Sequence, residues 1–323
     1  MPERGAQTRP RPTIGLALGS GSARGWAHIG ILRALLDAGI LPDVVCGSSM
    51  GALVGAAHVT GQLDALERWA LRFNRFEALR LIDLKLSDGG VIGGSRLIRA
   101  LAQLHDEHQM ERLRPRFACS ATDLMTGQEV VLREGDLLEA VHASLALPGI
   151  FSPVKLDDCW LVDGGLVNPV PVSLCRQLGA DIVIAVNLNR QQVDRRRIRR
   201  QHRMAERRMS SALMDMMRRK GPSGSALAGS ILASPTGALS DNIPKYLDVV
   251  MGAIYIMQDF ITRSRLVSDP PDFILEPDLQ RVNLMEFQRA RECIAEGRAC
   301  VEQALPEIAA RDWYPLIVDE DHR

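Results

Sequence analysis

Three observations predict an α/β fold built on a mainly parallel sheet. Short apolar runs ended by glycine-rich turns alternate with helical patterns, in the order strand, turn, helix, strand, turn, helix. Several of the runs are apolar throughout, as strands covered on both faces are. The 323 residues are 46 % hydrophobic and 24 % charged. That supports one large domain, or a domain of about 200 residues with additions, and argues against global disorder.

Each element follows in order. Thr13 to Leu18 (TIGLAL) reads as the first strand, followed by the glycine-rich turn Gly19 to Gly25 and a helix from Trp26 to Ala38 that Gly39 ends. Asp43 to Cys46 reads as a second buried strand. Gly47 to Gly51 is a tight turn, followed by a helix of small residues (ALVGAAHV) and an amphipathic helix from Leu63 to Phe76. Phe117 to Thr122 and Glu129 to Leu132 are predicted strands joined by a turn at Thr126-Gly127. Asp136 to Leu145 is predicted helical and stops before Pro148-Gly149. Trp160 to Val162 reads as a short strand entering Asp163-Gly164-Gly165. Pro171 to Leu178 reads as a helix and Asp181 to Asn187 as a buried strand. Further on, a helix is expected over Lys245 to Leu266, a strand over Phe273 to Leu275 and a last helix over Met285 to Leu305. The methionines and apolar residues of 245–266 are expected to pack as core. The division expected is a flexible N-terminus (1–12), a catalytic core (13–190), an excursion (191–243) and C-terminal helices with a strand packing on the core (244–323).

Composition excludes several classes. The formal net charge is zero and the isoelectric point is near 7.1, so the whole chain has no bias toward nucleic acid. The six cysteines form no CxxC pair, and reduced, mostly buried thiols are expected. The first twelve residues are polar and Pro/Arg-rich without an apolar stretch, so no secretion signal is expected. No run of 18 apolar residues occurs, and no membrane span is expected. Together these point to a cytoplasmic protein, with peripheral contact at the inner membrane face as an extension discussed below.

The chemistry begins at Gly47-Ser48-Ser49-Met50-Gly51. A GxSxG run between a strand and a helix is the pattern of a nucleophile elbow. Glycines two before and two after let the chain close sharply, and the apex residue, Ser49 rather than Ser48, projects its hydroxyl beside a helix N-terminus. Upstream, Gly19-Ser20-Gly21-Ser22-Ala23-Arg24-Gly25 also links a strand to a helix. Two functions compete there: a dinucleotide or phosphate loop, and an oxyanion hole of backbone amides. Arg24 stands where the dinucleotide fingerprint needs a third glycine, no acidic residue ends the second strand, and the phosphate-loop lysine is missing. The oxyanion role fits better, because two consecutive parallel strands would bring loop and elbow together.

A base is then needed. Of His28, His58, His105, His108, His142, His202 and His322, only the last two follow Asp163, and neither sits on a strand-end loop. A Ser–His–Asp triad is therefore poorly supported. Asp163 ends a short strand and is followed by Gly164 and Gly165, which permit a close turn. It is the best acid for a direct Ser–Asp dyad, provided that burial raises its basicity. A plain turn-forming role for this Asp-Gly-Gly is the alternative.

With GSGSARG, GSSMG and DGG in this order, the chain resembles the patatin-like phospholipase family. It looks most like the bacterial branch related to the catalytic domain of neuropathy target esterase. The flanks RGWAHIGIL and ASLALPGIFSPV carry the resemblance too, which spans residues 13–190. The resemblance implies a three-layer α/β/α fold and a Ser–Asp dyad hydrolase. Ser49 would be nucleophile and Asp163 proton acceptor. The oxyanion loop would comprise Gly19, Ser20, Gly21, Ser22 and Arg24, with Gly25, Gly47, Gly51, Gly164 and Gly165 supporting the motifs. Ser20 departs from the third glycine common in the family, which leaves the backbone donors intact. No metal or organic cofactor is implied. Phospholipid, lysophospholipid or another acyl ester would be the substrate.

Residues 190–220 are crowded with arginine, and 221–243 are small and turn-rich. Arginines with the following SSALMDMM suit contact with anionic lipid head groups, against the plainer reading of a solvated surface segment. No aromatic residues interleave with the arginines, so nucleic acid is not an expected partner. Two rival functions remain: a non-catalytic regulatory or scaffolding protein, against which the three intact motifs argue, and a nucleotide-dependent oxidoreductase.

Overall fold

The structure, a computed structural model, describes residues 11–72, 109–189 and 246–318. The chain divides into two units, Met1–Arg190 with Val250–Arg323, and Gln191–Val249. The sheet and the site belong to the first. The arginine-rich excursion, its proposed lipid contact, His105, His108, His202 and His322 lie outside the described residues.

Eight strands form one sheet: β1 (Ile14–Leu18), β2 (Val44–Ser48), β3 (Arg116–Asp123), β4 (Glu129–Leu132), β5 (Val154–Leu156), β6 (Cys159–Asp163), β7 (Ile182–Val186) and β8 (Phe273–Leu275). Their order is β5-β6-β3-β2-β1-β7-β8, with β4 also paired to β3. β3, β2, β1, β7 and β8 run parallel, while β4, β6 and β5 enter through antiparallel pairings. Among the described residues, eight α-helices flank them: α1 (Ala27–Asp37), α2 (Met50–Val59), α3 (Leu63–Arg72), α4 (Leu137–Leu145), α5 (Val172–Gln177), α6 (Tyr246–Ser268), α7 (Ala290–Ala309) and α8 (Tyr314–Ile317).

Period-two side-chain alternation divides the strands between two helical layers. Ile14, Leu16 and Leu18 of β1 face one layer and pack with Ile29, Leu32 and Leu35 of α1, Leu53 of α2 and Val301 of α7. Ala17, between them, faces the other layer with Leu174 and Cys175 of α5 and Leu266 of α6. β7 repeats the division, Ile182, Ile184 and Val186 to the first side and Val183 and Ala185 to the second. This is a three-layer α/β/α fold. Residues on the second side are small, so α5 lies close to the sheet. Burial of each large aliphatic side chain stabilises the fold by about 1.5–3 kcal/mol.

Local signals set the boundaries. Gly39 takes φ 73° just past α1, as a helix-ending glycine does. Asp136 caps α4 by accepting the Glu139 amide at 2.8 Å. The strand β5 and the single turn α8 were not expected from sequence. One expectation needs correction. The apolar residues of α6 do not all pack as core, for Met251, Ile254 and Tyr255 are buried whereas Ile256, Met257 and Phe260 are exposed. The helical period gives α6 two apolar faces, and only one meets the sheet domain. All six cysteines are unpaired, with Cys46, Cys119, Cys175 and Cys293 buried, Cys300 half-buried and Cys159 exposed.

Candidate active site

Strand register brings the two halves of the site together. β2 pairs with β3 as far as Ser48 opposite Ser120. β6, running the opposite way, pairs with β3 from Leu161 opposite Asp123 to Asp163 opposite Ala121. β4 occupies the other edge of β3 over Cys119 to Thr122. β2 and β6 therefore approach tip to tip along one edge of β3. Their ends fall on consecutive β3 residues, and Ser49, the next residue of the chain, meets Asp163 across the gap.

Ser49 Oγ donates to Asp163 Oδ2 at 2.5 Å. Asp163 Oδ1 accepts the Gly165 amide at 2.7 Å, its own amide donates to the Ala146 carbonyl, and its carbonyl accepts from the Thr122 hydroxyl. The carboxyl has no exposure, and Ser49 retains only 7 %. Burial raises the Asp163 pKa to about 7, against the opposing pull of the Ser49 and Gly165 hydrogen bonds. The pair thus combines a hydroxyl in contact with a carboxylate and a carboxylate more basic than one in water.

Ser49 stands at φ 54°, ψ −122°, immediately before α2. Only three non-glycine residues among those described have positive φ, and Ser49 and Ser22 are two of them. Such backbone costs on the order of 1 kcal/mol or more and needs support from its surroundings. Ser144 of α4 supplies some of it: its Oγ accepts the Ser49 amide at 2.9 Å, and it bonds the Cys119 thiol behind. Gly51 supplies more, since a Cβ there would run into the Leu18 and Gly19 carbonyls. Without a side chain at Gly51, the start of α2 lies directly on the end of β1 and carries the serine against the glycine loop.

The loop itself is almost fully engaged. The Gly19 amide donates to Val186 O, the Ser20 amide to Pro169 O at 2.7 Å, and the Arg24 amide to Gly21 O at 3.0 Å. The Arg24 side chain turns away to the Val282 carbonyl, with its guanidinium 5.9 Å from the centroid of the Tyr255 ring. Among the described residues, the amides of Gly21 and Ser22 alone in this run of predicted donors have no acceptor. The loop is tied to the dyad through Gly165, where an added Cβ would press on Ser20 Cβ at 3.0 Å and Asp163 Oδ1 at 2.9 Å. Gly25, Gly47 and Gly164 likewise sit where backbone or Met50 packs too closely for a side chain.

Four neighbours escaped the sequence reading. Ser144 lies in the ASLALPG stretch and His28 in RGWAHIG; both stretches stand out, but no role could be read from either. Tyr255 and Gln258 come from α6, nearly a hundred residues beyond Asp163 in the chain. Tyr255 is buried and bonds Ser22. Gln258 accepts from the Ser20 hydroxyl at 3.3 Å, and Asn189 donates to the same hydroxyl at 3.1 Å. Ser20, the departure from the family glycine, is thereby anchored through its side chain. Among the described residues, no group of three or more His, Cys, Asp or Glu side chains is arranged to hold a metal ion, and no helix is long and apolar enough to cross a membrane.

Residues 16–176 match the family model described as patatin-like phospholipase. An uncharacterized NTE family protein of Mycobacterium tuberculosis is 33 % identical over 329 aligned positions, covering 91 % of each chain. A patatin-like phospholipase domain-containing protein of Caenorhabditis elegans is 38 % identical over 181 residues, 54 % of this chain and 13 % of that protein. The lysophospholipase NTE1 of Pyricularia oryzae is 32 % identical over 181 residues, 54 % of this chain and 12 % of its own. With the parallel sheet, the serine turn and a relative aligned along nearly its whole length, the chain belongs to the patatin-like phospholipase family and groups with its NTE family proteins.

Proposed function

We propose that this protein is a serine acyl-ester hydrolase of phospholipase or lysophospholipase type, working through a Ser49–Asp163 dyad. The observation that carries the proposal is the 2.5 Å contact between Ser49 Oγ and a fully buried Asp163 carboxylate. Membership in the patatin-like phospholipase family supports lipid hydrolysis. A relative named a lysophospholipase supports a lipid acyl ester as substrate.

In the mechanism, Asp163 Oδ2 takes the proton of Ser49 Oγ as the oxygen attacks the acyl carbonyl carbon. The Gly21 and Ser22 amides bind the oxygen of the tetrahedral intermediate. Collapse breaks the ester C–O bond, and the leaving alcohol or lysolipid receives the proton from Asp163. Water then attacks the acyl-enzyme, giving its proton to Asp163; the acyl C–Oγ bond breaks, Ser49 Oγ takes that proton back from Asp163, and the fatty acid leaves. A base with a pKa near 7 suits this exchange at neutral pH, since it both accepts and returns a proton readily.

Labelling with a fluorophosphonate probe, followed by turnover on a phospholipid and lysophospholipid panel, tests the proposal. Wild type should label and hydrolyse, Ser49→Ala should do neither, and Asp163→Asn should stay folded with turnover abolished. Near-normal turnover in either variant rejects the dyad. A folded wild type that neither labels nor turns over any ester leaves a non-catalytic scaffold as the function.

A further inference from the structure

We infer that His28 is a positioning residue that holds the Gly19 carbonyl, so that the Gly21 and Ser22 amides remain turned toward the reacting oxygen. The inference rests on the proposed oxyanion role of those two amides.

Peptide groups are rigid planes, so fixing both ends of one fixes the start of the next. The Gly19–Ser20 peptide is held at both ends. His28 Nε2 lies 2.7 Å from the Gly19 oxygen, and the Ser20 amide donates to Pro169 O at 2.7 Å. The Ser20 side chain is held by Asn189 and Gln258, and the Gly21 carbonyl accepts the Arg24 amide. The Gly21 amide is aimed by the Ser20 and Gly21 torsions that start from this plane, so loss of the His28 bond frees the frame from which that amide is aimed.

The state of the imidazole follows from its surroundings. His28 is fully buried, and burial lowers its pKa to about 4, so the ring is neutral at the pH of the reaction. A neutral ring carries one N–H, and the carbonyl partner assigns it to Nε2. Nδ1 is then a buried acceptor with no partner among the described residues. An apolar residue of the same volume would avoid that unpaired atom. Packing alone therefore gives no reason for a histidine here, whereas the Nε2–H···O=C bond does. His28 is also no rival base, because its N–H is committed to Gly19 and Ser49 Oγ is committed to Asp163.

Two nearly isosteric variants separate the donor from the volume. His28→Gln keeps an N–H at similar reach, and His28→Met keeps the length without it. With a soluble short-chain nitrophenyl ester, His28→Met should lose roughly 10- to 100-fold in kcat with KM changed less than about twofold, less than deletion of a direct oxyanion donor. His28→Gln should recover to within about threefold of wild type, while the two variants melt at similar temperatures. Fluorophosphonate labelling rates should follow kcat. Equal kcat in the two variants, or a loss confined to KM or proportional to lost stability, overturns the inference. Should either variant fail to fold, nitrogen-15 histidine spectra of the wild type decide. A neutral Nε2–H tautomer from about pH 5 to 8 is expected, and an Nδ1–H tautomer or a titration in that range overturns the inference. Wild type that labels no better than Ser49→Ala would instead remove the oxyanion reading beneath it.

Discussion

Asp163→Asn should make the protein more stable at neutral pH while removing its proposed base. The replacement keeps the volume and an Oδ1 acceptor for the Gly165 amide, and it removes the titration. In the folded chain burial raises the Asp163 pKa to about 7, from an ordinary value of 3.8. Between these two values the folded protein holds a proton that the unfolded chain has already released. Stability therefore falls as pH rises through that window, by about 1.4 kcal/mol per pH unit for this one group. Below the window the contribution is fully present, and above about pH 7 its loss is complete. From pH 5 to pH 8 the window contributes about 2 units, or roughly 2–3 kcal/mol. Urea unfolding of both proteins at the two pH values measures it, and subtraction cancels every other titrating group. The stability of Asp163→Asn relative to wild type should grow by that amount and then stay level at higher pH. A difference that does not change with pH would refute the raised pKa, and with it the claim that burial makes this carboxylate an effective base.

The same carboxyl should shape the rate. With a soluble ester, kcat/KM should rise through a midpoint near 7 and level off above it, as the free enzyme's base loses its proton; a midpoint near 4 would contradict the burial argument. Ser144→Ala should leave the Ser49 amide unpaired at a buried position and cost about 1–3 kcal/mol, read as a lowered melting temperature together with a lower kcat. An unchanged melting temperature would show that the Ser144 bond does not support the strained serine. Gly51→Ala should lose about 3 kcal/mol or more, or fail to accumulate as folded protein, because its Cβ would enter the Leu18 carbonyl. Folded, active Gly51→Ala protein in circular dichroism and esterase assays would contradict the close approach of α2 to β1.

Much of this was legible because the elements are punctuated. Glu129–Leu132 and Phe273–Leu275 are strands with the bounds read from sequence, since turns and apolar runs mark both ends. Ser49 and Asp163 stand out in the sequence because each lies at a turn whose glycines allow tight packing. β5 is three residues long and includes the exposed Lys155, so it has no apolar run to announce it. The direction of β6 was equally hidden. A strand's hydrophobic pattern is the same read from either end, so the sequence could place Asp163 at the sheet edge without revealing that β6 meets β2 tip to tip. Tyr255 and Gln258 were missed for a different reason. They are an i, i+3 pair on the inner face of α6, where a buried polar residue and an aromatic look like ordinary core until the tertiary fold brings Ser20 and Ser22 against them. The division of polar roles within the glycine loop was likewise invisible, because every residue there has the same backbone donor and only distant carbonyls decide which donors are taken.

The shared edge of β3 also bears on when the site is assembled during synthesis of the chain. The nucleophile turn emerges first, and its strand can settle on β3 as soon as that strand is made. At that stage the serine lacks its proposed base, because the other half of the edge is vacant until β6 emerges and docks in its reversed direction. Gln258 and Tyr255, which hold the loop opposite, arrive later still. A nascent chain ending before Val154 should therefore not react with a fluorophosphonate, even with its first three parallel strands in place. Under the proposed dyad the two reacting groups share one strand as a ruler, and the site stays incomplete until the ruler is read from both ends.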